Sequence, residues 1–171
     1  MRSLSAVLAT AVLVLATPGL AGAASKTVKD DADDADGPAL DISSATLNSK
    51  QGVLKIRAEV DVVDSGGMVV FLQPQGSQEL LAYSDYDAQA GTLENGLRRG
   101  NKKVTCKGLN VAWNTGKGSV SFRIPASCID GGDYGKVRFK LFSEKSNGAD
   151  NDFAPEDKNG YWKWSPYVAR G

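Results

Sequence analysis

Apolar and polar residues alternate along much of this chain with a period of two, the mark of strands that bury one face. Gly52–Val63 shows it best, with Leu54, Ile56, Ala58, Val60 and Val62 on one side and Lys55, Arg57, Glu59 and Asp61 on the other. Val120, Phe122 and Ile124 alternate with Ser119, Ser121 and Arg123, and Val137, Phe139 and Leu141 repeat the pattern over Lys136–Phe142. Leu40, Ile42 and Leu47 mark an earlier strand. Met68–Leu72 is continuously apolar and reads as buried on both faces. Glu79–Ser84 gives a weaker strand, and Gly160–Val168 is predicted to close the chain as a strand carrying Tyr161, Trp162, Trp164 and Tyr167. Residues 85–102 read as polar and irregular, anchored by Leu93 and Leu97, and Glu144–Asn159 as a long polar loop. Outside the N-terminal segment no stretch holds the helical apolar period over three turns. The expected fold is all-β: an antiparallel β-sandwich, jelly-roll or immunoglobulin-like, of seven to eight strands with one disulfide.

The stretch Lys103–Cys128 organises this pattern. Two apolar runs, Val104–Trp113 and Ser119–Ile124, flank Asn114-Thr115-Gly116-Lys117-Gly118, a link with the glycines that a tight hairpin needs. The two cysteines, Cys106 and Cys128, stand equally far from Lys117 and would face each other across an antiparallel hairpin. They are predicted to form a disulfide that stabilises the fold by about 3 kcal/mol, from loop-closure arithmetic.

The N-terminus changes the setting. Arg2 is followed by an uncharged run of Ala, Val and Leu over Leu4–Thr17, a break at Pro18-Gly19, and the small-residue site Ala21-Gly22-Ala23. That order predicts a signal peptide over residues 1–23, cleaved after Ala23. The apolar run is shorter than the roughly 20 residues a membrane span requires. The mature form is expected to be secreted, with no membrane anchor. Residues 24–37 are polar and acidic and read as a flexible leader; residues 38–171 form a single sandwich domain.

Composition then excludes several kinds of chemistry. The chain has no histidine, which removes Ser-His-Asp and Cys-His catalysis and His-ligated zinc or haem. Pairing both cysteines removes thiol nucleophiles. Basic and acidic residues balance at 20 each, too neutral for an electrostatic nucleic-acid binder. The expectation is a protein that is not an enzyme. A carboxylate hydrolase independent of histidine is the minor alternative, since Glu59 and Asp61 share a strand face but no carboxylate sits in an apolar run that would raise its pKa.

Two candidate sites remain. Asp150, Asp152 and Asp157 concentrate oxygen ligands in the late polar loop and are candidates for structural calcium; no other cofactor is expected. The competing reading is a solvated loop with Asx turns. The acidic leader does not match an EF-hand, because position 6 of a loop begun at Asp31 is Asp36 rather than glycine. Trp113, beside the hairpin turn, and Trp162 and Trp164, on one face of the last strand, are the candidate ligand-binding residues. Such flat rings stack on sugars when exposed and otherwise cover the core.

The order of landmarks is similar to one known group. Leu40-Asp41-Ile42 opens a strand after an acidic leader, Ile124-Pro125 ends one, Val137-Arg138-Phe139 follows, and an Asp-rich loop with Ala154-Pro155 precedes a Trp-bearing end. This resembles the DOMON-like sandwiches related to family 9 carbohydrate-binding modules, over residues 37–168. The resemblance implies a non-catalytic extracytoplasmic ligand-binding or accessory domain, since relatives bind sugars between aromatics and some bind calcium structurally; the expected partner is a glycan or another extracellular protein. Relatives that hold haem use Met and His; here histidine is absent and Met68 is the one methionine after the leader. The alternative is a structural or protein-interaction domain of the bacterial exterior without a small-molecule site.

Overall fold

The computed structural model describes residues 24–31, 39–50, 52–146, 148 and 150–171. The predicted signal peptide and the leader residues 32–37 lie outside the described residues. Among the described residues there are twelve strands: β1 Ala24–Lys29, β2 Ile42–Lys50, β3 Val53–Val60, β4 Gly66–Pro74, β5 Leu80–Asp87, β6 Thr92–Arg99, β7 Lys102–Val104, β8 Asn110–Asn114, β9 Ser119–Pro125, β10 Lys136–Lys145, β11 Asn151–Ala154 and β12 Val168–Ala169. They form two antiparallel sheets, one in the order β1-β2-β3-β9-β8 and one in the order β11-β10-β4-β5-β6-β7, with β12 also paired to β10.

The inner faces supply one core. Leu54, Ile56, Phe122 and Ile124 of the five-stranded sheet meet Met68, Leu72, Phe139 and Leu141 of the seven-stranded sheet, all at most 1% exposed. Burying a side chain of this size contributes about 1.5–3 kcal/mol each, so alternation in the sequence translates directly into the sandwich. Met68, the one candidate haem ligand, is among these core residues.

Several expected elements take a different form. Residues 24–29 are not leader but strand β1, paired along β2 from Ala24–Ser49 to Lys29–Ser44. Backbone pairing to a neighbouring strand and burial of Val28 order a segment that is too polar to order itself. The span 85–102 is strand for most of its length: β5 runs to Asp87, and β6 pairs with it from Asp87–Thr92 to Leu81–Arg98. The late polar loop contains β11. Conversely, the predicted last strand shrinks to Val168–Ala169. The described residues therefore hold twelve strands where seven to eight were expected.

The central hairpin exists, but its first arm is divided. Val104 ends β7 in the larger sheet, and the chain then crosses to β8 in the smaller one, turning at Leu109, whose N–H donates to the Cys106 carbonyl at 3.3 Å. β8 and β9 pair from Asn110–Arg123 to Asn114–Ser119. Gly118 ends the turn in the left-handed region, at φ 55°. A Cβ there would come within 2.6 Å of the Val60 carbonyl oxygen, so only glycine lets the hairpin tip dock on the end of β3. The Cys106–Cys128 disulfide is formed, with Cα atoms 5.4 Å apart. It joins the crossing segment to the 3₁₀ turn Ala126–Cys128 after Pro125, just beyond the paired hairpin.

Candidate functional site

The outer face of an antiparallel sheet ordinarily carries solvated polar residues. That of the seven-stranded sheet does so only in its outer rows, with a band of aromatic and aliphatic residues between them. Across β10, β4, β5 and β6 the register sets Glu144, Gly67, Asp85 and Glu94 in one row. Phe142, Val69, Tyr83 and Gly96 form the next, and Lys140, Phe71, Leu81 and Arg98 the third. The face thus runs from carboxylates, through aromatic and aliphatic residues, to cations. Tyr83 lies flat over Gly96, where a Cβ would fall 2.4 Å from its hydroxyl oxygen. The Arg98 guanidinium lies over the Tyr83 ring, 5.4 Å from its centroid.

A strap formed by residues 155–167 completes the face. On the outer edge of β10, β11 pairs with Leu141–Glu144 and β12 with Lys136–Val137, leaving positions between them without a strand partner. Ser165 fills that gap: its N–H donates to the Phe139 carbonyl at 2.9 Å, and its Oγ accepts the Phe139 N–H at 2.9 Å. The strap is folded back on itself by Asp157, whose carboxylate accepts the N–H groups of Asn159 at 2.8 Å and Tyr161 at 3.1 Å. Trp162 and Trp164 are thereby laid against β10 and β4.

The resulting strip is an alternation of rings and cations. Trp162 meets Phe71 edge-on at 5.0 Å and Phe153 at 4.9 Å, and Phe153 meets Phe142 at 5.1 Å. Lys140 Nζ lies 3.6 Å from the Trp162 centroid and 4.7 Å from that of Trp164. Arg138 lies 4.8 Å from Trp164 and 5.2 Å from Tyr167. Contacts of this kind stabilise by about 0.5–2 kcal/mol each, more as they are desolvated. Burial lowers the pKa of Lys140, Glu79 pulls it back up, and Arg138 pushes it down. Two donors in the strip, Trp162 Nε1 and Arg138 Nε, are shielded from solvent and make no hydrogen bond among the described residues. Unsatisfied buried donors are uncommon in folded proteins.

Trp162 and Trp164 are therefore brought together, though by a strap rather than a strand. Trp113 is elsewhere. Half-buried, it stacks on Tyr86 at 5.3 Å and donates its indole N–H to Ser84 Oγ at 2.9 Å, bridging β8 of one sheet to β5 of the other. Lys140, Arg138, Phe71, Phe142 and Phe153 were not singled out from sequence. Two signals pointed to them: the unbroken apolar run Met68–Leu72, whose second face is the floor of the strip, and Phe142, which falls on the outward side of an otherwise alternating strand.

The three candidate calcium ligands are not gathered. Asp150 pairs with the Lys145 ammonium. Asp152, 4% exposed, accepts the Ile42 N–H at 2.6 Å and the Phe153 N–H. Asp157 is held by its own turn, which lowers its pKa through the Asn159 and Tyr161 N–H groups. Among the described residues no group of three or more Asp, Glu, Cys or His side chains is placed to hold a metal ion.

One carboxylate corrects the sequence reading of pKa. Asp85 is raised above its ordinary value by burial first, then by Glu94 and Glu144. Those neighbours are cross-strand, so no apolar run around Asp85 announces them. Because the folded state holds this proton more tightly, the Asp85 contribution to stability falls as pH rises from the unfolded carboxylate range through the folded value. Glu59, by contrast, is paired with Arg57.

Compared with known proteins, the chain matches no protein-family model and no curated sequence.

Proposed function

We propose that this protein is an exported, non-catalytic β-sandwich module that binds a carbohydrate through the aromatic–cation strip of its larger sheet. The observation that carries this reading is the strip itself: Trp162, Trp164, Phe71 and Tyr167 arranged around Lys140 and Arg138 on a sheet face, with one indole and one guanidinium donor lacking acceptors among the described residues. Rings stack on the apolar faces of sugars, and free N–H donors take hydroxyl oxygens. Trp162 and Arg138 are half-buried as residues, so side-chain movement alone can offer these donors to a ligand. The Cys106–Cys128 bond supports export into an oxidising compartment. Among the described residues no helix is long and apolar enough to cross a membrane. The resemblance to DOMON-like sandwiches accords with the same role.

A second reading is favoured by one specific contact. Lys140 Nζ occupies a Trp162 face that a sugar ring would use. In that reading the strip meets an extracellular protein, with backbone carbonyls as acceptors for the free donors. A glycan array separates the two. The purified protein is expected to retain a defined set of glycans, and a Trp162→Ala/Trp164→Ala variant that remains folded by circular dichroism is expected to lose them. Absence of retention on the array, with capture of a protein partner lost in the same variant, would replace carbohydrate by protein.

A further inference from the structure

The five-stranded sheet presents an outer face of opposite character, with no aromatic residue at its outward positions. Its register sets Asn48, Lys55, Arg123 and Asn110 in a single row across β2, β3, β9 and β8. Lys55 and Arg123 are thus direct cross-strand partners of like charge, an arrangement that destabilises a sheet. Both are exposed, and neither makes an ion pair or hydrogen bond among the described residues. Arg57, in the next row, adds a third cation whose guanidinium is held by Glu59, donating from Nη2 to Oε2 at 3.1 Å. Along the outward positions of this sheet Glu59 is the one acidic residue. Between these side chains the small residues Ala112 and Ser121 leave a groove of about 320 Å³, lined also by Asn48 and Asn110.

We propose that this groove binds an anionic polysaccharide. Two opposed cations accept one oxyanion between them, which offsets the repulsion that the pairing costs when the site is empty. The carboxamides on either side and the Ser121 hydroxyl offer donors and acceptors to the hydroxyls of flanking sugar rings. All of these residues stand on paired strands, so their spacing is set by the sheet before the ligand arrives. The balanced charge of the whole chain argues for a local oxyanion site rather than the broad positive field that draws nucleic acid. The groove lies on the sandwich face opposite the aromatic strip, and the two sites are independent.

Affinity electrophoresis of the purified protein tests this, in gels containing polygalacturonate, dextran sulfate, neutral dextran or duplex DNA. Retardation by an anionic polysaccharide is expected, and the first two polymers distinguish carboxylate from sulfate as the recognised group. Arg123→Glu is expected to weaken retardation about tenfold or more. The same change creates an opposite-charge pair with Lys55, so the melting temperature is expected to hold or rise, which a merely structural arginine would not do. Lys55→Gln should weaken binding as well, while Trp162→Ala/Trp164→Ala leaves it unchanged. Retardation of Arg123→Glu equal to that of the native protein overturns the proposal. So does absence of retardation by both anionic polysaccharides, or retardation by DNA equal to theirs, or retardation by neutral dextran equal to theirs in the Trp162→Ala/Trp164→Ala variant.

Discussion

Replacing Cys106 and Cys128 together by alanine lowers stability by about 3 kcal/mol and leaves the sandwich intact. The bond closes a ring over a sequence separation of 22 residues, and the unfolded chain regains that loop's freedom when it is removed. The position strengthens the expectation. Cys106 lies where the chain crosses from β7 to β8, and Cys128 lies in the turn after Pro125, so neither end is held by a strand ladder at the bridge itself. The two cysteines are only partly buried against a core that the strands of both sheets supply, which is why the fold persists. For a domain of this size the loss corresponds to a fall in melting temperature of roughly 6–12 °C. Calorimetry should show the same fall on reduction of the native protein and no effect of reductant on the double variant. An intact mass showing two free thiols in the protein purified without reductant would remove the premise.

Asp152→Ala is expected to be comparably severe, costing about 3 kcal/mol, because a buried donor left without its acceptor costs about 1–3 kcal/mol and the Ile42 N–H is buried where Asp152 takes it. The Asp152 carboxylate joins distant parts of the chain: it takes the N–H of Ile42 at the start of β2, 110 residues away, and that of Phe153 beside it in β11. Both sheets therefore loosen at one end when it is lost. Chemical denaturation followed by tryptophan fluorescence checks the magnitude. The loss should be the same in chelator and in millimolar calcium. Restoration of the native midpoint by calcium, or a calcium-dependent rise in the native protein, would instead return Asp150, Asp152 and Asp157 to a common metal site.

The fold was legible where strands bury their own side chains. β3, β9 and β10 alternate because each sends one face into the core, and the pairing of the two cysteines follows from their placement about one hairpin. The strands that were not legible lack that signal. In β1 Val28 is the one buried large residue, β6 buries little beyond Leu97, and β11 is four residues long. Their conformation comes from backbone pairing to neighbours. Trp162 and Trp164 misled in the opposite direction: aromatic alternation suggested a strand, whereas Ser165 and the Asp157 turn make a strap. The candidate site was legible only in part, because rings, cations and carboxylates from β10, β4, β5 and the strap converge through register, which no local stretch of sequence encodes. Lys140 reads as one more polar residue of an alternating strand until Trp162 and Trp164 are placed beside it.

The most direct test of the strip as the binding surface is a titration of the purified protein with a glycan retained on the array, followed through the three tryptophan indole N–H resonances. Trp113 serves as an internal control, since its N–H is committed to Ser84 in a separate part of the fold. Progressive shifts of the Trp162 and Trp164 resonances, with that of Trp113 unmoved, are the expected result; saturating binding that leaves the Trp162 and Trp164 resonances in place would contradict it.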